Sequence, residues 1–157
     1  MTPYKPRVES DGGLASEAES TQKAGIFIPN PMREVEAVIE ELRRIPDVLA
    51  IAVARRDGIL VALDLPRGVD GRKVAAMSAA LVGTSEYASQ ELGQGKFLQC
   101  IVDTDRGRIL STGAGEEALL VTLVRPGANL GLVLLGVERA ARRLATLFHG
   151  TVGGEPG

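Results

Sequence analysis

Residues Val48–Leu65 read VLAIAVARRDGILVALDL, and the fold turns on this stretch. Val48–Ala54 is apolar at every position. The larger Leu49, Ile51 and Val53 alternate with the smaller Val48, Ala50, Ala52 and Ala54, as in a strand buried on both faces. Asp57-Gly58 supplies the residues a tight hairpin turn prefers, and Ile59–Leu65 returns with an alternation broken by Asp64 and ended by Pro66. The hairpin feeds an alanine-dense helix, Asp70–Leu92. Val74, Met77, Leu81, Ala88 and Leu92 mark one stripe on it. Ala75, Ala76, Ala79, Ala80, Val82 and Gly83 widen the apolar zone beyond what a single buried face requires. Such a helix needs cover on two sides, and a chain of 157 residues has little material left to supply the second, so a second copy of the chain is expected there.

The flanking elements follow from similar signals. Asn30 is placed to cap a helix, Pro31 suits its first position, and Met32, Val35, Ile39, Leu42 and Ile45 form one stripe before Pro46. Arg33, Glu36, Glu40, Arg43 and Arg44 on its other side read as a solvated face. After the alanine-rich helix come strands at Gly95–Asp103, Arg108–Thr112 and Ala118–Val124, joined by Asp105-Arg106-Gly107 and Gly113-Ala114-Gly115. A last helix runs from about Asn129 to His149. Its inner stripe is Leu130, Val133, Leu134, Val137, Ala141, Leu144 and Phe148, and Gly150 is suited to end it. The order α-β-β-α-β-β-β-α predicts an α/β chain with an antiparallel sheet. Residues 1–25 and 151–157 carry few large aliphatic side chains and are expected as flexible tails around a single domain, residues 26–150.

Composition narrows the function. With 45% hydrophobic residues the chain has enough apolar material for a sizeable core, while three Phe, two Tyr and no Trp leave little for base-stacking platforms. A net charge of −2 argues against nucleic acid and anionic membranes, which need a basic surface. No apolar run reaches the length of a membrane span, and the N-terminus lacks a charged-then-apolar leader pattern, so a cytoplasmic location is expected. Cys100 has no intramolecular partner and sits in the apolar run Phe97–Val102, as a buried structural thiol would.

The chain offers no catalytic constellation. Gly113-Ala114-Gly115-Glu116-Glu117-Ala118 matches a dinucleotide fingerprint, but a strand follows it where a helix is required, and two glutamates would repel a pyrophosphate. No Gly-x-x-x-x-Gly-Lys-Ser/Thr loop is present. His149 has no second His or Cys nearby to complete a metal site. Asp103, Asp105, Glu116 and Glu117 fall at turns, where solvation leaves them ordinary carboxylates. No enzyme activity, metal, cofactor or small-molecule substrate is expected. Arg55 and Arg56 at the hairpin tip are candidates for contact with an acidic or phosphorylated partner, against the plainer reading of solvated turn residues.

Three segments together resemble the Roadblock / dynein light-chain family. They are Arg55-Arg56-Asp57-Gly58-Ile59-Leu60-Val61-Ala62, the Ala/Ser-rich Val74–Ser89 followed by Gly93-Gln94-Gly95, and Ala118-Leu119-Leu120-Val121 leading to Asn129-Leu130-Gly131. The resemblance covers about residues 30–149. It implies an α/β/α sandwich around a five-stranded antiparallel sheet, with the first and last helices on one face and the middle helix on the other. It also implies a homodimer joined through the middle helix and the third strand, its sheet continued across the twofold axis. Carried over, the contact residues are Val74, Met77, Ala80, Leu81, Thr84, Ala88, Phe97, Gln99 and Ile101. The function implied is that of a non-catalytic platform that binds a small Ras-like GTPase and regulates its nucleotide cycle. An adaptor subunit of a larger complex, indifferent to nucleotide state, is the alternative. A small-molecule sensor with its ligand between sheet and helix is a third reading, for which few polar or aromatic side chains are available.

Overall fold

The computed structural model describes residues 7–8 and 30–152. The first helix, α1, spans Pro31–Arg43. Asn30 caps it by accepting a 3.0 Å hydrogen bond from the Met32 amide, and Pro31 occupies the first turn, where its missing N–H costs nothing. The hairpin follows as β2 (Val48–Arg55) and β3 (Leu60–Asp64). Gly58 sits in its turn at φ +91°, a conformation in which a side chain is strained. Helix α2 spans Gly71–Glu91, capped by Asp70, whose carboxylate accepts from the Arg72 and Lys73 amides. The meander β4 (Gln99–Thr104), β5 (Gly107–Ala114) and β6 (Ala118–Val124) leads into α3, Leu130–Val152.

All the pairings are antiparallel, in the order β3-β2-β6-β5-β4 for the five expected strands. A sixth, β1 (Arg7–Val8), lies outside β3, pairing Arg7 with Leu63 and Val8 with Ala62. It falls within the stretch expected as a tail. The rest of residues 1–25 lies outside the described residues, as do 26–29 and 153–157. At the other end α3 continues through Thr151 and Val152, past the Gly150 expected to stop it.

The sheet separates two apolar layers. Ile51, Val53, Ala62, Leu110, Leu120 and Val124 meet Val35, Val38, Ile39 and Leu42 of α1 and Val133, Val137, Ala141 and Leu144 of α3. On the opposite face Ala50, Ala52, Ala54, Leu63, Leu119 and Val121 meet Ala75 and Val82 of α2. Ile51 and Val53 on one face of β2 and Ala50, Ala52 and Ala54 on the other divide as expected, and Val48 does not. A register shift between Val48 and Ala50 turns Val48 to the α1/α3 side.

Two close approaches position the helices. A Cβ added to Gly136 would meet the end of the Ile45 side chain, so α3 passes close to the segment just after α1. One added to Gly71 would lie 2.5 Å from Leu63 Cδ2, which brings the start of α2 down onto β3. Arg43, expected on a solvated face, instead reaches over the sheet. Its Nε stands 2.5 Å from the Asp64 carboxylate and its Nη1 donates to the Leu49 carbonyl at 2.7 Å. Asp64 is buried, which raises its carboxyl pKa above the usual range; the Arg43 charge opposes that shift. No helix among the described residues is long and apolar enough to cross a membrane.

Candidate functional site

The residues of α2 that face the sheet are Gly71, Ala75, Ser78 and Val82, spaced at i, i+4, i+7 and i+11. Their small side chains let the helix lie close over the alanines of β2. The consequence is that the larger apolar residues point away. Met77 is 63% exposed and Tyr87 65%; Ala80, Thr84 and Ala88 are exposed, and Leu81 is half-buried. Val74 is half-buried and packs against the α2-side core. The stripe Val74, Met77, Leu81, Ala88 and Leu92 is thus mostly the outer stripe of the helix, with Leu92 73% exposed. Thr84, Ser85 and Ser89 turn their hydroxyls back onto carbonyls one turn earlier, leaving this surface poor in free polar groups.

Strand β4 lies at one end of the sheet and, among the described residues, pairs with β5 alone, so its other edge of N–H and C=O groups is open among them. It also packs beside α2. Gln99 and Ile101 are exposed on it, Leu98 just before it is exposed, and Phe97 is half-buried against the α2-side core. Cys100, expected as buried, is half-buried, because an edge strand has a neighbour on one side only. Of the nine expected contact residues, Met77, Ala80, Thr84 and Ala88 are exposed on α2, Gln99 and Ile101 are exposed on β4, and Val74, Leu81 and Phe97 are half-buried. Tyr87, Leu92 and Leu98 extend this surface. Periodicity grouped Leu92 with the α2 stripe, since it marks which residues share a helix face but not which face turns to the sheet.

At the hairpin tip the two arginines part. Arg56 is half-buried and donates from Nε to the Ala118 carbonyl at 2.9 Å and from Nη2 to the Gly115 carbonyl at 2.8 Å, while Nη1 pairs with Glu86 of α2. Burial lowers its pKa, and the charge of Glu116 opposes the shift. A Cβ on Gly113 would lie 2.8 Å from Arg56 Nη2, so that glycine makes room for the guanidinium. Arg56 is thus a clamp tying hairpin, β5–β6 turn and α2, and not the free cation a partner would meet. Arg55, paired with Asp57 at 2.7 Å, stays exposed. The glycine-containing turn resembling a dinucleotide fingerprint joins β5 directly to β6 and starts no helix.

An open cleft of about 470 Å³ lies between α2 and the β5–β6 turn, lined by Arg56, Val82, Glu86, Lys96, Phe97 and Glu116 among others. Its charges are of both signs, and Arg56 and Glu86 satisfy each other. Asp103 pairs with Arg108, and His149 is exposed in the last turns of α3. Among the described residues no three His, Cys, Asp or Glu side chains converge as a metal site would require.

A model of the Roadblock/LC7 domain matches residues 34–124. The chain belongs to the Roadblock/LC7 family. Two relatives from Methanocaldococcus jannaschii, the uncharacterized proteins MJ1340 and MJ0714, are 32% and 34% identical over 114 residues; the match covers 73% of this chain and 99% and 96% of theirs. Among solved structures, an MglB described in a tetrameric arrangement shares 25% identity at a TM-score of 0.68, over 78% of this chain and 93% of that one. MglB of Myxococcus xanthus superposes with a TM-score of 0.74 over 83% of this chain and 99% of that one, at 18% identity, a likeness of fold. This Roadblock domain shares with them the α/β/α sandwich and its order of elements.

Proposed function

We propose that this Roadblock domain pairs with a second copy through the outer face of α2 and the open edge of β4, and that the dimer binds a small Ras-like GTPase and regulates its nucleotide cycle without entering the chemistry. The observation that carries the reading is a β4 edge left unpaired among the described residues, beside a helix on which Met77, Ala80, Thr84 and Ala88 are exposed. Two β4 edges meeting about a twofold axis would satisfy each other's main-chain groups and cover both helix faces at once. MglB in a tetrameric arrangement, at 25% identity, supports self-association of this fold. The family's regulatory character supports a protein partner, and the absence of a catalytic motif in the sequence fits a platform. We place the protein in the cytoplasm, with no nucleic-acid, membrane or small-molecule partner. A dimer that prefers one nucleotide state of its partner by about 1–3 kcal/mol would shift the cycle several-fold to a hundredfold.

Sedimentation at micromolar concentration tests the first half. Wild type is expected as a dimer, and Met77→Glu combined with Ile101→Lys as a folded monomer; a wild-type monomer would refute the interface. Capture of GTP-loaded against GDP-loaded candidate GTPases tests the second half. Unequal capture supports regulation. Equal capture supports the adaptor reading, and no capture by a verified dimer removes the GTPase while leaving the interface standing.

A further inference from the structure

Helix α2 is seated on the sheet along only part of its length. Its buried residues, Gly71, Ala75, Ser78 and Val82, stop at Val82, and from Gly83 to Glu91 none is buried. Gly83, Glu86 and Gln90 instead line the open cleft between α2 and the β5–β6 turn, and a Cβ added to Gly83 would meet nothing within 4 Å outside its own stretch of helix. The last nine residues, Gly83-Thr84-Ser85-Glu86-Tyr87-Ala88-Ser89-Gln90-Glu91, are also poor in strong helix formers. Gly83 gives up the most backbone freedom in a helix, and Thr84, Ser85 and Ser89 return their hydroxyls to carbonyls of the preceding turn. Neither burial nor propensity holds this stretch down.

An ion pair does. Arg56 is fixed before Glu86 meets it: Nε and Nη2 donate to the Ala118 and Gly115 carbonyls, and Gly113 leaves room for the guanidinium. A cation immobilised by its other bonds has little freedom left to lose on pairing. The Arg56 side chain is 24% exposed and that of Glu86 37%, so water weakens the pair less than it does a fully exposed one. Among the described residues this pair is the side-chain tie from Gly83–Glu91 to another element. The same stretch carries the exposed Thr84, Tyr87 and Ala88.

We propose that Gly83–Glu91 is a hinged end of α2 that opens independently of the rest of the helix, and that the Arg56–Glu86 pair is the latch seating it for self-association. The link to self-association rests on the interface proposed above; the hinge does not. Because Arg56 is held by the hairpin and the β5–β6 turn, a displacement of either loop acts on α2 through this pair. Dimer strength is thereby tuned by residues outside the contact surface.

Hydrogen exchange on the full chain and its Glu86→Gln variant tests the hinge. Both are also made with Met77→Glu and Ile101→Lys, so that lost association cannot itself quicken exchange. Glu86→Gln keeps the shape and helix propensity of the side chain and removes its charge. The Tyr87–Glu91 amides are expected to exchange roughly fivefold faster in it, in both backgrounds, with Ala79–Val82 and β6 unchanged. Gly83→Ala, for which there is room, should slow the same amides about fivefold and offset Glu86→Gln in the double variant. Unchanged exchange in Glu86→Gln overturns the latch, as does a quickening confined to the associating background. Quickening spread evenly through α2 and β6 overturns the hinge. Sedimentation over a concentration series tests the link to self-association: Glu86→Gln should weaken the dimer at least about twofold, since both copies must be seated, and adding Gly83→Ala should restore it. Equal dimer affinities overturn that link and leave the hinge standing. A wild-type monomer overturns the interface and the link together, and exchange then decides the hinge alone.

Discussion

The two faces of the sheet are covered by different means. On one side α1 and α3 bring Val35, Ile39, Leu42, Val133, Val137 and Leu144 against Ile51, Val53, Leu110 and Leu120, and Arg143 of α3 pairs with Glu41 and Glu34 of α1 across the top. Two helices carrying bulky residues complete that core within the chain. On the other side a single helix lies over the alanines of β2 together with Leu63, Leu119 and Val121, and its own contact residues are Ala75, Ser78 and Val82. Close approach of small residues buries the floor, yet it leaves Met77, Tyr87 and Leu92 facing out. A face built from bulky residues is covered within the chain; a face built from small ones leaves larger apolar side chains of its helix exposed.

Three substitutions probe the contrast, beginning with the largest effect. Ile51→Ala, in the fully buried two-helix core, should destabilise the protein by about 2–5 kcal/mol, read as a lower urea midpoint at unchanged slope. Ala52→Leu, at the adjacent position on the opposite face, should cost about 1–3 kcal/mol because α2 has no room to retreat without leaving the sheet. An Ala52→Leu chain as stable as wild type would show that α2 is loosely seated and remove the argument from small residues.

The third and smallest effect concerns Asp64, buried beneath α1. Its raised pKa means that the folded chain holds a proton the unfolded chain has already released at pH values above the ordinary 3.8. Wild-type stability from this group therefore falls as pH rises from there through the raised value. Asp64→Asn cannot ionise, so its stability relative to wild type should improve across that window; a difference independent of pH above the ordinary carboxyl value would contradict the buried-carboxylate reading.

Much of this architecture was legible because its signals are local. Asn30-Pro31 and Asp70 announce helix starts, Asp57-Gly58 a hairpin turn, and the period-two pattern of Val48–Ala54 a strand covered on both sides. The surplus of apolar residues along Asp70–Leu92 was enough to expect a second covering. Three features were not legible. Arg43 and Arg56 read as solvated charges because their partners, Asp64 and the Gly115 and Ala118 carbonyls, are distant in the chain. The orientation of α2 was hidden because a helix nearly apolar all round has no face that periodicity can single out. Arg7–Val8 was read as tail because two residues carry no pattern, and strand pairing at a sheet margin is decided by whether an edge is available.

What the sequence by itself determined is the set of elements and their order, since caps, turn residues and hydrophobic period act over a few residues and need no knowledge of the rest. What only the tertiary structure decided is which of two apolar helix faces is inner, which charges are enclosed, and which sheet edge is left bare. Those outcomes depend on contacts between segments far apart in the chain, where close packing admits an alanine or a glycine and turns a methionine outward.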